Sequence, residues 1–245
     1  MTTVDVLAIG AHPDDVEIGI GGTVRKLVLQ GRRVGILDLS QGEMASRGSV
    51  EERRAEAQRA AEVLGVVRRE NAGLPDGGIA NTTAQQRAVI RIIRSFRPRV
   101  ILAPMRDDRH PDHEAAHHLV RAANYFAGLV RLHSANQNSG PESEPWRAPH
   151  MYFYAVHKEM AIPQLIVDVS GQFEDKLAAL RAFGSQFHNP EYRGVETYVS
   201  SAGFWESIQQ RAVYWGSRIG VAYGEALFSD GPIAVSTLPG IEEAS

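Results

Sequence analysis

Short apolar segments alternate with helical segments along the first half of the chain, and this alternation limits the possible folds more than any other feature. Apolar runs at 4–9, 33–39 and 99–104 are typical of buried strands. Helical periodicity and capping residues predict helices over 19–30, 49–64, 83–96 and 112–129. Strands that are joined by helices run parallel in one sheet. The sequence therefore predicts an α/β fold, a Rossmann-like three-layer αβα sandwich with a mostly parallel sheet.

The remaining segments are expected to complete this sheet. A further strand is weakly marked at 66–72, and two apolar segments are expected to extend the same sheet, at 151–156 and 164–169. Two more helices are predicted, near 171–187 and 204–218. A polar segment at 134–149 is predicted to be a long loop rather than a domain linker, so we expect one domain over 1–245.

Composition narrows the chemistry that the chain can perform. Its 245 residues include no Cys, so any metal must be held by His and carboxylates. A net charge of −3 without a basic run argues against nucleic acid as a partner. No apolar run approaches the roughly 20 residues that span a bilayer, and no signal peptide is visible. A cytoplasmic protein that does not bind membranes is therefore expected.

Two polar clusters follow two of the predicted strands. Ala11–Asp15 comes directly after the first strand, and Asp107–His113 follows the strand at 99–104. Parallel strands in a doubly wound sheet place such segments at the same edge, where ligands bind. A His-Pro-Asp sequence alone could be an ordinary turn. Its occurrence after both strands makes a shared functional site the better interpretation.

The two clusters together contain the ligands of a catalytic zinc site. Such a site takes three protein ligands and keeps one position open. His12 and Asp15 lie three residues apart on a turn that Pro13 stiffens, and His113 can supply the third ligand. Asp14 is then left beside the metal as a candidate general base.

The second cluster also offers a candidate acid. His110 could stabilise an oxyanion as a cation or protonate a leaving amine. Asp112 could orient His110, as the carboxylate does in a hydrolytic triad.

Two overlapping motifs suggest other functions. The sequence from His113 through Glu114 to His117 fits the H-E-x-x-H pattern of zinc proteases, in which two His ligands and a Glu base lie on one helix. That interpretation leaves the cluster around His12 unexplained. The glycines at 19–22 suggest dinucleotide binding, but G-x-G-x-x-G is absent and the polar cluster occupies the phosphate turn. These glycines are expected to let a helix pack closely on the sheet.

The sequence resembles the PIG-L/LmbE-like family of zinc-dependent N-acetylglucosaminyl deacetylases. The family motifs match Ala11–Asp15 and His110–His113, and further stretches resemble the branch that deacetylates N-acetylglucosaminyl malate in bacillithiol biosynthesis. Those stretches are Val16–Thr23, Gly73–Asp76, Arg106–Arg109 and Ala222–Phe228. The resemblance implies a small-molecule amino-sugar substrate, Zn²⁺ or another divalent metal such as Fe²⁺, and a homo-oligomer, either a trimer or a hexamer.

The resemblance also implies roles for individual residues. It implies His12, Asp15 and His113 as metal ligands, Asp14 as base and His110 as acid or electrostatic catalyst, with Asp112 behind it. Two arginines are implied in substrate binding, Arg53 and Arg109. Some relatives have a Tyr where this chain has Asp108, which leaves the oxyanion donor unassigned, with Tyr192 and Tyr198 as candidates. A sugar-binding protein with a structural metal is the non-catalytic alternative, which an open coordination position would exclude.

Overall fold

The computed structural model describes residues 3–132, 144–157 and 162–235 of the chain. Most of the loop predicted at 134–149 lies outside these residues. The single domain over 1–245 and the homo-oligomer stay predictions.

Seven strands and six helices make up the described chain. The strands are β1 (Val6–Gly10), β2 (Val34–Ser40), β3 (Arg68–Leu74), β4 (Val100–Pro104), β5 (His150–Tyr154), β6 (Leu165–Asp168) and β7 (Gly224–Leu227). The helices are α1 (Asp15–Leu29), α2 (Val50–Leu64), α3 (Thr83–Phe96), α4 (Pro111–Ala127), α5 (Phe173–Arg181) and α6 (Ala202–Arg218).

The central sheet has five parallel strands in the order β3-β2-β1-β4-β5. Strand β1 lies in the middle, with Val6 opposite Val34 of β2 on one side and Val100 of β4 on the other. The chain therefore turns from one half of the sheet to the other at β1. In open α/β sheets, ligands bind at the carboxyl ends of the strands at this turning point. The predicted α/β fold is confirmed.

Apolar side chains cover both faces of this sheet. One face carries a core to which α3 contributes Ile93 and Phe96 and α4 contributes Leu119. The other face packs against α1, α2, α5 and α6, for example through Val24 and Leu180. Burial on both faces explains why β1, β2 and β4 are almost continuously apolar in sequence.

The last two strands differ from the prediction. Strand β6 does not extend the parallel sheet but pairs antiparallel with β7, with Leu165 opposite Leu227. A parallel crossover needs about a dozen residues or more, and the connection from Tyr154 to Leu165 is shorter than that. Strand β7 was not predicted from the sequence, and a single bridge from Phe153 to Phe228 joins this small sheet to β5.

Strand β3 and the glycines at 19–22 lie close to what the sequence predicts. Strand β3 runs over Arg68–Leu74, slightly later than predicted, and its polar sequence fits a strand at the edge of the sheet. The glycines at 19–22 allow the expected close packing, because a Cβ on Gly19 would overlap the Tyr154 ring.

Across the three described ranges, no helix has the length and apolar character needed to cross a membrane.

Candidate metal-dependent active site

The turn after β1 has a strained backbone at the residue proposed as the base. Helix α1 begins at Asp15, four residues before the predicted start, and it bends at Ile20, where φ is −142°. The residue that precedes the helix, Asp14, has φ 120°, which is rare outside glycine. Such strain costs on the order of 1–3 kcal/mol and is usually retained at functional sites. The turn thus fixes the direction of two successive carboxylates.

Three side chains that could bind a metal converge between the ends of β1 and β4. His113 Nε2 lies 3.3 Å from His12 Nδ1 and 3.3 Å from Asp15 Oδ1. His12 Nδ1 lies 3.6 Å from Asp15 Oδ2. All three side chains are buried. The predicted ligands from the two clusters therefore lie together.

These distances fit a tetrahedral metal site. Ligand atoms about 2.0–2.2 Å from a zinc ion would lie roughly 3.3–3.6 Å from each other. The charge also fits, because several buried carboxylates surround the two imidazoles. Burial alone would lower the pKa of His113, but Asp15 and Asp108 more than offset it and raise the pKa to about 9. The surroundings of His113 thus favour a positive charge, which a divalent cation would provide.

Two carboxylates contact the far nitrogen of His12. Its Nε2 lies 3.1 Å from Asp76 Oδ1 and 3.3 Å from Asp112 Oδ2. Asp112 also accepts a hydrogen bond from the backbone N–H of Gly77 at 2.7 Å. Carboxylates in this position typically fix the orientation of a metal-binding imidazole.

The position of Asp112 differs from the expectation that its carboxylate orients His110. Asp112 contacts His110 through its backbone N–H, which donates a hydrogen bond to His110 Nδ1 at 3.2 Å, and not through its carboxylate. His110 precedes the first residue of α4, and this bond caps the helix. The capping geometry explains the difference, because it directs the Asp112 side chain away to His12.

Asp108 contacts the other candidate imidazole ligand, His113. Its Oδ1 lies 3.2 Å from His113 Nδ1, and it accepts backbone hydrogen bonds from His110 and His157. These contacts hold the pKa of Asp108 well below its usual range, although burial acts in the opposite direction. From the sequence, Asp108 stands out only as a position that lacks a Tyr. The regular placement of a carboxylate beside a metal-binding His could have indicated this role.

His110 lies beside both candidate imidazole ligands, His12 and His113. Its ring centroid is 4.7 Å from that of His12 and 4.9 Å from that of His113. Burial and these two neighbours lower its pKa. Since Nδ1 accepts the Asp112 N–H, the neutral ring carries its proton on Nε2. His110 is therefore a hydrogen-bond donor at the edge of the site.

Arg53 contacts the candidate base directly. Its Nη2 donates to Asp14 Oδ2 at 3.3 Å and to the carbonyl of Pro13 at 2.7 Å, and its Nη1 donates to the carbonyl of Gly42 at 3.1 Å. Burial raises the pKa of Asp14, while Arg53 lowers it. The guanidinium thus holds the base in place and keeps the carboxylate form accessible.

The other residues implied in binding lie farther out. Arg109 is exposed, and its guanidinium lies 4.0 Å from the ring centroid of Tyr198, which is 51% exposed. The Tyr192 hydroxyl accepts a hydrogen bond from the backbone N–H of Gly48 at 2.9 Å and so anchors a loop. Tyr192 does not line the pocket over His12, Asp15 and His113.

A pocket of about 270 Å³ opens over this cluster. It is named here the catalytic pocket, and it is lined by His12, Asp14, Asp15, Ile18, Met44, Ala45, Arg53, Asp76, Gly77, His110, His113, His157 and Val199. No role is predicted from the sequence for Met44, Asp76, His157 or Val199. They come from separate loops that are distant in sequence, so no local pattern connects them to the site.

His157 forms one wall of the catalytic pocket. Its ring stacks on that of His113 with centroids 5.3 Å apart. Burial, with the neighbouring His113, lowers the pKa of His157 to about 4. It is therefore a neutral ring at neutral pH.

The two histidines of the H-E-x-x-H motif have different surroundings. His113 belongs to the ligand cluster, whereas His117 Nδ1 donates to the carbonyl of Pro104 at 3.1 Å. His117 is not among the residues that line the catalytic pocket. The motif therefore does not form a single protease-type metal site in this structure.

Known proteins with a similar sequence include deacetylases. The family described as PIG-L, GlcNAc-PI de-N-acetylase, matches residues 7–124. A diacetylchitobiose deacetylase from Thermococcus kodakarensis is 32% identical over 232 residues, which cover 91% of this chain and 81% of that protein.

Two solved structures are similar over nearly the whole chain. A conserved protein from Thermus thermophilus has a TM-score of 0.85 and 35% identity, covering 98% of this chain and 100% of that one. The N,N'-diacetylchitobiose deacetylase from Pyrococcus horikoshii, in complex with an inhibitor, has a TM-score of 0.76 and 27% identity, covering 91% of this chain and 82% of that one. The chain is an amide hydrolase and belongs to the PIG-L family of deacetylases.

Proposed function

We propose that this protein is a zinc-dependent hydrolase that removes the acetyl group from an N-acetylglucosaminyl compound. One observation carries the proposal: Asp14, a buried carboxylate on a strained backbone, adjoins three convergent candidate ligand side chains in an open pocket. His12, Asp15 and His113 would hold the metal. The chemistry that zinc supplies in such a site is Lewis acidity, which activates water and polarises a carbonyl.

The side chains of the pocket divide the proton transfers between them. Asp14 takes a proton from the attacking water, with Arg53 holding its carboxylate in position. His110 donates its Nε2–H to the oxygen of the acetamide as negative charge develops there, an effect worth about 3 kcal/mol for a well-placed donor. The proton on Asp14 then passes to the sugar nitrogen. The products are acetate and a free amine.

N-acetylglucosaminyl malate is the substrate that the bacillithiol branch would use. The exposed guanidinium of Arg109, the residue before His110, supports this choice, because it can bind a malate carboxylate through two hydrogen bonds. Arg53 is already bonded to Asp14 and to two backbone carbonyls, so it does not serve this purpose.

N,N'-Diacetylchitobiose is the second candidate. The relative from Thermococcus kodakarensis that covers most of the chain is named for this substrate. It is an uncharged disaccharide, so its binding would not need the guanidinium of Arg109. The ring of Tyr198, half exposed beside Arg109, offers a flat surface that suits a second sugar.

Acetate release from the zinc-loaded protein tests the proposal. The assay compares N-acetylglucosaminyl malate, N,N'-diacetylchitobiose, the inositol-linked sugar and plain N-acetylglucosamine. We expect the malate compound to be the best substrate, and an Arg109→Gln variant to raise its KM about tenfold while leaving diacetylchitobiose unaffected. A preference for diacetylchitobiose would exclude the bacillithiol assignment and retain the deacetylase. Absence of acetate from every compound, with zinc bound, would contradict the proposed function.

The alternatives predict different results in the same experiments. A zinc protease would cleave peptides and release no acetate from the sugars. A sugar-binding protein with a structural metal would bind N-acetylglucosamine without turnover, and its metal would have four protein ligands.

A further inference from the structure

A second pocket, named here the His117 pocket, lies on the other side of the segment that follows β4. Its volume is about 170 Å³, and it shares no lining residue with the catalytic pocket. Met105, Arg106 and Asp107 contribute to the His117 pocket, whereas His110, a few residues later, lines the catalytic pocket. The two pockets are therefore separate sites that border one loop.

His117 places an unpartnered acceptor in this second pocket. Its side chain is only 1% exposed, and its Nδ1 lies 3.1 Å from the carbonyl oxygen of Pro104. A carbonyl can only accept a hydrogen bond, so Nδ1 carries the proton of the neutral ring and Nε2 has a free lone pair. Burial lowers the pKa of His117, which keeps the ring neutral. Among the residues that the structure describes, Nε2 is buried and has no hydrogen-bond partner.

The rest of the pocket combines apolar side chains, the polar side chains of Gln164 and Ser229, and charged side chains at its rim. The Phe153 ring lies 4.4 Å from the His117 ring, and Phe228 and Met105 add further apolar surface. The charged groups at the rim are already in ion pairs: Arg106 with Asp107 at 3.1 Å, and Asp230 with Arg121 at 2.9 Å. An occupant therefore gains little from carrying a charge of its own.

We propose that the His117 pocket binds a small uncharged molecule with a flat apolar body and one O–H or N–H group. The polar hydrogen is donated to His117 Nε2, and the apolar body packs against Phe153 and Phe228. The volume is below that of most drug-sized ligand sites, so the occupant is the size of a single ring. Buried acceptors without a partner are rare in native proteins, which favours an occupant that donates a hydrogen bond to His117 Nε2. The site is independent of the deacetylase reaction.

Phenol is a direct probe, because it has one ring and one O–H group. We would titrate the zinc-loaded full-length protein, with ¹⁵N-labelled histidine, with phenol and separately with anisole, in which a methyl group replaces the hydroxyl hydrogen. Phenol is expected to shift the Nε2 resonance of His117 in a saturable way. Anisole is expected to bind about tenfold more weakly, because it cannot donate the hydrogen bond.

Two variants test the assignment without depending on one side chain. His117→Phe keeps an aromatic ring at this position but removes the acceptor, so phenol binding is expected to fall about tenfold to the level of anisole. Ser229→Phe fills the pocket from its rim and should abolish binding of both compounds while leaving His117 in place. Deacetylase activity should stay unchanged in both variants.

Three results would overturn the proposal. One is equal affinity for phenol and anisole in the wild-type protein. Another is unchanged phenol binding in the Ser229→Phe variant, which would place phenol elsewhere. The third is a crystal soaked in phenol that shows only an ordered water molecule on His117 Nε2.

Discussion

The catalytic pocket and the His117 pocket place the same side chain in opposite electrostatic surroundings. His113 and His117 lie one helical turn apart on α4, and both are buried. His113 lies between the carboxylates of Asp15 and Asp108, whereas His117 contacts a backbone carbonyl and the ring of Phe153. The pKa of His113 is raised to about 9, and that of His117 is lowered.

This difference shows what separates a candidate metal ligand from a structural histidine. Each nitrogen of the His113 ring lies close to a negatively charged carboxylate oxygen, whereas the oxygen beside the His117 ring belongs to a neutral backbone carbonyl. A carboxylate partner makes the opposite nitrogen a stronger ligand and fixes its direction. The spacing of two histidines on a helix does not reveal these partners, since they come from other parts of the chain.

The largest effect, a loss of zinc affinity, is expected when a proposed ligand is removed from the catalytic pocket. His113→Ala should weaken zinc binding by more than about 100-fold, because it removes a direct ligand and leaves Asp15 and Asp108 without their shared partner. Competition with a chromophoric chelator measures the affinity. Full zinc binding in this variant would refute the ligand set of His12, Asp15 and His113.

Asp14→Asn tests the proposed base in the catalytic pocket. The amide keeps the shape of the side chain but cannot take a proton, so kcat should fall by about 10²–10⁴-fold while zinc remains bound. Acetate release is measured together with the metal content of each sample. A zinc-loaded variant with near-normal kcat would show that another group accepts the proton.

Asp108→Asn weakens the electrostatic contrast between the two histidines. The neutral amide can no longer polarise His113, so zinc affinity should fall about 10–100-fold. Asp107→Asn is the matched control, because that neighbouring carboxylate is exposed and pairs with Arg106. Equal zinc affinities in the two variants would mean that Asp108 does not position the ligand.

His117→Ala should have the smallest effect on catalysis. Zinc affinity and kcat are expected to change by less than about twofold, although the lost ring contacts and the unpaired Pro104 carbonyl should lower the free energy of unfolding by about 1–3 kcal/mol. Zinc titration and thermal unfolding measure the two effects separately. Loss of zinc in this variant would instead support the protease interpretation.

Local sequence patterns predicted most of the parallel sheet but not the two-stranded sheet of β6 and β7. Strands such as β1 and β4 are buried on both faces, so their apolar runs are visible without knowledge of the fold. Strand β3 lies at the edge with a polar sequence, and β7 is only Gly224–Leu227, so neither has a strong signal. The pairing of β6 with β7 joins segments that lie far apart in the chain, which no local pattern encodes.

The candidate site also has one part that the sequence predicts and one part that it does not. The residues of each cluster were identified because they follow apolar strands directly, and the parallel arrangement predicted that the clusters meet. The carboxylates beside them could not be assigned in this way. Asp76 comes from the segment after β3, and the side chain of Asp112 contacts His12 rather than His110 because a backbone hydrogen bond already caps the helix there.

The amino-acid sequence by itself determined the class of fold, the two polar clusters and the chemical types of their side chains, because periodicity and short motifs are properties of neighbouring residues. The tertiary structure alone decided which carboxylate faces which imidazole, how Arg53 holds Asp14, and that His117 faces a pocket of its own. The physical reason is that electrostatic and hydrogen-bonded partners act over a few ångströms in space. Their separation along the chain, 100 residues for His12 and Asp112, is bridged only by folding.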